Sequence, residues 1–217
     1  MASQIPLPLE TPAKRTREDF IVGPGNQAAV GLIDSWPQWT APAAALFGPA
    51  GSGKSHLAAI WAAHAGADVI EAAALGEAAL ARRGPLVVED VDRAPLAPAT
   101  EAVLFAWLER GQSLLLTGRE PPAAWPVRLP DLTSRLQALL AFPLWAPDEA
   151  LLERLAKKLF ADRQLAVPDA AIAQMIRALE RSPAAVRDFV ARADATALAE
   201  KRPITPAFIR ELLAKEG

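Results

Sequence analysis

The residues best suited to chemistry lie in one stretch, Gly48-Pro49-Ala50-Gly51-Ser52-Gly53-Lys54-Ser55, which satisfies the spacing G-x-x-x-x-G-K-[ST]. It follows the apolar run Ala45-Leu46-Phe47 and opens a helical pattern, the strand-turn-helix setting that this spacing requires. Glycines there let successive backbone N–H groups turn inward around phosphate oxygens. Lys54 adds positive charge at the β- and γ-phosphates, and Ser55 offers a hydroxyl to Mg2+. The whole stretch from Gly48 to Ser55 is therefore expected to hold the phosphates of a nucleotide.

A magnesium site of this kind needs an acid at the end of another buried strand, and Leu86-Val87-Val88-Glu89-Asp90 supplies one. Such strands usually end Asp-Glu or Asp-Asp. Here the order is Glu-Asp, which puts Glu89 at the metal position and Asp90 at the water-activating, catalytic position with side-chain lengths exchanged. Coordination geometry is sensitive at the ångström level, so nucleotide binding is a firmer expectation than fast hydrolysis. Asp92 reads as a solvated loop acid. The strand Leu114-Leu115-Leu116-Thr117 ends in a polar residue that either senses a γ-phosphate or merely caps the strand.

Other chemistries are excluded or unsupported. The 217-residue chain contains no cysteine, which removes disulfides, thiolate metal sites and cysteine nucleophiles together. His56 and His64 have no acidic or thiol neighbours at metal spacing and read as structural or solvated. The six tryptophans are expected in the core and between packed parts, Trp107 in particular. Net charge is −2, so no basic footprint for duplex DNA is expected. No signal peptide or membrane span is visible, and a cytoplasmic location is expected.

The elements that must position these residues follow from periodicity. Short apolar runs at Ala44–Phe47, Asp68–Glu71, Leu86–Glu89, Ser113–Thr117 and Leu140–Leu144 read as strands covered on both faces. Lys54–Ala65 and Thr100–Arg110 read as helices between them, the second ended by Gly111. This is the pattern of an α/β fold with a parallel sheet. After Pro147 only helical patterns remain, with Leu151, Leu152, Leu155 and Leu159 on one face. Pro168-Asp169, Ser182-Pro183 and Thr205-Pro206 announce further helices. The expected organisation is a leader over 1–18, an α/β nucleotide-binding domain over 19–147 and a four-helix lid over 148–217.

The order of motifs resembles the AAA+ family, and within it the DnaA family of bacterial replication initiators with its shorter regulatory members. The resemblance spans roughly residues 18–217. Phe20-Ile21-Val22-Gly23-Pro24-Gly25-Asn26-Gln27 is similar to the initiators' F-x-V-G-x-x-N-x segment, which implies that the backbone of Val22 and Gly23 lies by adenine. Leu129-Pro130-Asp131-Leu132-Thr133-Ser134-Arg135-Leu136 is similar to their arginine-finger stretch, which implies that Arg135 reaches a neighbour's γ-phosphate. Ser182-Pro183-Ala184-Ala185-Val186-Arg187-Asp188-Phe189 resembles the sensor 2 helix and implies that Arg187 touches the phosphates from the lid. Two departures stand out: an additional initiator arginine is replaced by Asp131 or Leu132, and the acid that follows the sensor strand is missing from Thr117-Gly118-Arg119-Glu120. Together with Glu89-Asp90 they suggest that ADP or ATP, with Mg2+, serves more as a conformational cofactor than as fuel.

The chain begins Met1-Ala2-Ser3-Gln4-Ile5-Pro6-Leu7-Pro8-Leu9, too rich in proline for a helix or a central strand. The segment resembles the peptide with which short members of the family dock on the DNA polymerase sliding clamp. Gln4 would bond at a pocket rim, and Ile5, Leu7 and Leu9 would supply the apolar contacts. With no DNA-binding domain expected after Gly217, the resemblance implies a negative regulator of replication initiation. Its partners would be the sliding clamp and the initiator DnaA, with no direct sequence-specific DNA binding, no membrane and a possible homo-oligomer. The alternatives are an autonomous ATPase such as a helicase loader, and a clamp adaptor in which the nucleotide is structural.

Overall fold

Three leucines in a row, Leu114, Leu115 and Leu116, each show no exposed surface, and in a strand they must point alternately to opposite faces. Both faces of the sheet are therefore covered. The computed structural model describes residues 16–215. Gln4, Ile5, Leu7 and Leu9 lie outside the described residues, so nothing structural attaches to the expected docking peptide.

The described strands are β1 (Ala43–Phe47), β2 (Asp68–Glu71), β3 (Leu86–Glu89), β4 (Leu114–Gly118) and β5 (Leu140–Pro143), and they form one sheet in the order β2-β3-β4-β1-β5. All pairings are parallel, with Leu46 opposite Thr117 and Val88 opposite Leu116. Parallel strands need crossovers. These are supplied by α2 (Lys54–Ala65), α3 (Pro98–Glu109) and α4 (Pro130–Gln137), with α1 (Gln27–Asp34) preceding β1.

The strand period of two divides the core. Ala43, Ala45, Leu86, Val88, Leu114 and Leu116 pack with Trp107 of α3 and with Leu132 and Leu136 of α4. Ala44, Leu46, Val87 and Leu115 face the other way, onto Val30 and Ile33 of α1 and Leu57 and Trp61 of α2. Burying each large side chain contributes about 1.5–3 kcal/mol. The outer strands depart from expectation: β2 is largely exposed, with Val69 at 50%, and Leu140 of β5 is at 37%. They are edges, and a run such as Asp68-Val69-Ile70-Glu71 has the alternation of a half-covered strand rather than a central one.

The remaining helices are α5 (Glu149–Asp162), α6 (Asp169–Ala178), α7 (Pro183–Glu200) and α8 (Pro206–Ala214). They enclose a separate apolar cluster that includes Leu152, Leu155, Phe160, Met175, Phe189 and Phe208. Their starts follow the sequence signals. Ser182 Oγ accepts from the amide of Ala185, and Thr205 Oγ1 from that of Phe208, while Asp148 Oδ1 caps α5 through the amide of Leu151. No helix among the described residues is long and apolar enough to cross a membrane.

Candidate functional site

The sharp exits of β1, β3 and β4 all lie at the carboxyl edge of the sheet, where open parallel sheets bind ligands. From β1 the chain enters the glycine-rich turn. Gly48 donates its N–H to Gly118 O of β4 at 3.2 Å. A Cβ on Gly48 would stand 2.0 Å from the Leu144 carbonyl oxygen, so only glycine lets the turn lie against the end of β5. Gly48, Gly51 and Gly53 all have positive φ, and Gly53 sits at the N-cap of α2. Successive amides therefore surround the helix N-terminus, a concentration of partial positive charge.

Lys54 is 7% exposed. Its ammonium donates to the carbonyl oxygens of Gly48 at 2.7 Å and Pro49 at 2.9 Å. Burial pushes its pKa below the ordinary lysine range, partly countered by the charges of Asp90 and Asp92. The Ser52 hydroxyl oxygen is buried with no hydrogen-bond partner, as is Oε1 of Glu89. Buried polar atoms are costly when left unpaired; Ser52 lines a cavity at this edge of the sheet, and Glu89 ends β3.

The ends of β3 and β4 are tied together. The Thr117 hydroxyl, 1% exposed, accepts from the amide of Asp90 at 3.1 Å, and Asp90 is held at φ 57°. Thr117 O takes the Val91 amide at 2.9 Å. Asp92 corrects the sequence reading: instead of facing solvent unengaged, its Oδ2 accepts from the amides of Arg119 and Glu120, each at 2.7 Å. This carboxylate closes the turn after β4, a long-range pairing with no local sequence signal.

A cavity of about 480 Å³ opens over this edge. It is lined by Ala50, Gly51, Ser52, Gly53, Lys54 and Ser55, together with Asp90 and Arg119. The cavity also has apolar lining from Phe20, Ile21, Leu151, Leu152, Leu155 and Trp145; Phe20 lies against the glycine turn, where a Cβ on Gly53 would stand 3.1 Å from its ring. Helix α7 contributes Ala184 and Arg187. A guanidinium nitrogen of Arg187 lies 3.3 Å from Nδ1 of His56, whose Nε2 lies 3.1 Å from Thr16 O. His56 also packs edge-on against Phe20, with ring centroids 5.2 Å apart.

The structure thus brings Ala50, Gly51, Ser52, Gly53, Lys54, Ser55, Asp90 and Arg187 to one cavity. Gly48 and Pro49 stand just behind, as acceptors for Lys54, and Glu89 and Thr117 form the strand ends beneath. Val22 and Gly23 do not line the cavity; their neighbours Phe20, Ile21 and Asn26 do. Asn26, 6% exposed, holds that segment by accepting from Gly23 N–H at 2.9 Å and donating to Ile21 O at 3.0 Å. Among the described residues no group of three or more His, Asp or Glu side chains could by itself hold a metal. A P-loop site draws most of its metal oxygens from phosphates and water.

Arg135 lies elsewhere. It sits in the last turn of α4, its side chain 56% exposed and ion-paired with Glu109. The N-terminus of α4 is anchored by Glu101, 3% exposed, whose carboxylate accepts from the amides of Arg128 and Leu129 at 2.7–3.1 Å.

Neither a scan against protein-family models nor a search of curated proteins finds a match to the chain. Solved structures do match. Domain III of the replication initiation protein DnaA from Thermotoga maritima aligns with a TM-score of 0.76 at 18% identity, covering 94% of this chain and 97% of that one. A variant of RuvB from the same organism aligns at 0.71 and 19% identity, covering 92% of this chain and 71% of that one. A protein described as a DNA replication initiation factor aligns at 0.70 and 17% identity, covering 87% and 67%. The parallel sheet, the glycine turn at its edge and the C-terminal helices together give this chain the fold of DnaA domain III.

Proposed function

We propose that the chain is a DnaA-related AAA+ protein of the Hda kind. In this reading it holds ADP or ATP in the cavity, docks on the DNA polymerase sliding clamp and stimulates hydrolysis of ATP bound to DnaA through Arg135. The residues present suit a nucleotide. The glycine turn presents inward amides, the Ser52 hydroxyl and Glu89 Oε1 are buried and unpaired, and Lys54 is held only by loop carbonyls. When bound, Mg2+ would neutralise charge between the phosphates.

Each side chain then has a defined task. Lys54 would exchange its two carbonyl acceptors for phosphate oxygens, and Ser55 and Glu89 would hold the metal. Arg187 bonds the phosphates from the lid helices, which couples those helices to nucleotide state. Thr117 and Asp92 fix the strand ends that carry Asp90 and Arg119.

The observation that carries the regulatory reading is the position of Arg135: exposed on α4, on a helix anchored by buried Glu101, and outside the chain's own cavity. Its ion pair with Glu109 is solvent-exposed and worth under about 1 kcal/mol, so the guanidinium can leave it for a neighbouring phosphate. There it would stabilise developing transition-state charge.

The test mixes the protein with sliding clamp on DNA and ATP-loaded DnaA. Arg135→Ala should lower the stimulated hydrolysis by roughly 10³-fold or more while the variant still binds ADP; undiminished hydrolysis overturns the finger assignment. Deleting residues 1–10 should abolish co-elution with the clamp, and retained co-elution overturns the docking assignment.

A second reading, an autonomous ATPase such as a helicase loader, is favoured by Asp90 lining the cavity beside Lys54. It requires turnover by the purified protein alone, abolished by Glu89→Gln or Asp90→Asn.

A further inference from the structure

A tryptophan in a folded protein normally hides its ring. Trp36, Trp39, Trp61, Trp107 and Trp125 are buried or half-buried, whereas Trp145 is 60% exposed. The exposed ring is not on an arbitrary surface: it lines the site cavity together with apolar side chains such as Ile21 and Leu151. The backbone there is fixed. Trp145 N–H donates to Gly25 O at 3.0 Å, and the side chain packs so closely on Gly25 that a Cβ at that position would stand 3.3 Å from Trp145 Cβ.

Of the polar side chains lining the cavity, Asn26 already spends its oxygen on Gly23 and its amide on Ile21. It has little left to offer a ligand. Besides the amides and the lysine that suit phosphate, the cavity presents a large π-face and aliphatic side chains. A planar, apolar-faced ring joined to a phosphate chain satisfies both kinds of lining.

We propose that Trp145 is the base-stacking residue of the nucleotide site, its indole forming a wall against which the nucleobase lies. The proposal rests on the nucleotide reading above. It gives the exposed indole a ligand and gives Gly25 the task of placing it. Stacking tolerates any base because every base has a π-face. Trp145 therefore supplies affinity rather than discrimination between bases.

The experiment separates the two ends of the ligand. ADP and inorganic pyrophosphate are titrated calorimetrically into the wild type, Trp145→Ala, Trp145→Phe and Gly25→Ala. Trp145→Ala should raise the dissociation constant for ADP roughly 5- to 100-fold and leave that for pyrophosphate within about twofold. Trp145→Phe should restore most of the ADP affinity, and Gly25→Ala should weaken ADP selectively. ADP should also quench tryptophan emission in the wild type and do so far less in Trp145→Phe.

Unchanged ADP affinity in Trp145→Ala overturns the proposal while leaving the nucleotide reading intact. Equal losses for ADP and pyrophosphate overturn it in favour of a structural role. Failure of the wild type to bind either ligand overturns the nucleotide reading and the proposal with it.

Discussion

Gly48 and Lys54 illustrate how single positions are decided by backbone geometry rather than by side-chain chemistry alone. A methyl group at Gly48 meets the Leu144 carbonyl at 2.0 Å in a backbone conformation of φ 148°. Gly48→Ala should therefore destabilise the fold by at least about 2 kcal/mol in chemical denaturation, in contrast to Gly31→Ala, which has open space around it. Lys54→Ala removes a buried ammonium that bonds only to Gly48 O and Pro49 O. It should abolish ADP binding by calorimetry while leaving the folded circular-dichroism spectrum in place. The motif made Lys54 recognisable from sequence. Asp92 and Asn26 were not, because their partners, the amides of Arg119 and Glu120 and the loop at Ile21–Gly23, become neighbours only through folding.

At the scale of elements, two polar anchors hold segments that the apolar core does not. Glu101 of α3 takes three backbone hydrogen bonds at the entry to α4. Glu101→Gln keeps only one acceptor oxygen, and the expected loss is about 1.5–3 kcal/mol by denaturant titration, with a fall in any Arg135-dependent stimulation beyond what the stability loss explains. Lys158 of α5 bonds Asp19 at 2.9 Å and so ties the chain before Phe20 to the C-terminal helices. Burial acts to raise the Asp19 carboxyl, but hydrogen bonds from Lys158 and Thr16 outweigh it and hold the pKa below the usual carboxylate range. A carboxyl depressed in the folded state stabilises above its unfolded pKa, and the benefit is lost as pH falls through the folded value. The thermal midpoint of the wild type should thus exceed that of Asp19→Asn at neutral pH, by less than about 1 kcal/mol in stability terms. The difference should shrink once pH falls below the ordinary aspartate value and vanish only below the depressed folded value.

Over the whole molecule, the cavity is shared between the sheet edge and the C-terminal helices, since Gly51 to Ser55 line it from one side and Leu151, Leu155 and Arg187 from the other. A ligand seated there contacts both apolar clusters' supporting elements. At a concentration of 100 times its dissociation constant ADP should stabilise the folded chain by about 2.7 kcal/mol, which for a chain of this size raises the thermal midpoint by about 5–10 °C. Lys54→Ala should show no such shift in differential scanning calorimetry. The resemblance to DnaA domain III extends over 94% of the chain, so the likeness includes the helices that close the cavity as well as the sheet.

The sequence by itself determined the parallel α/β class, the central strands, the glycine turn after β1 and the starts of α7 and α8, because each rests on local spacing: apolar runs, glycines, a proline after a capping hydroxyl. Helix α2 falls on Lys54–Ala65 and strand β3 on Leu86–Glu89, as the periodicity predicts. Only the tertiary structure decided which strands are edges, that Asp92 closes the turn after β4 and that Arg135 stands apart from the cavity. It also decided that Trp145 is exposed where it lines the cavity. These are properties of strand order and of contacts between residues distant in sequence, and hydrophobic pattern is blind to both. A leucine run reports that it will be buried, not what will cover it, and an exposed tryptophan has the same local signature as a buried one.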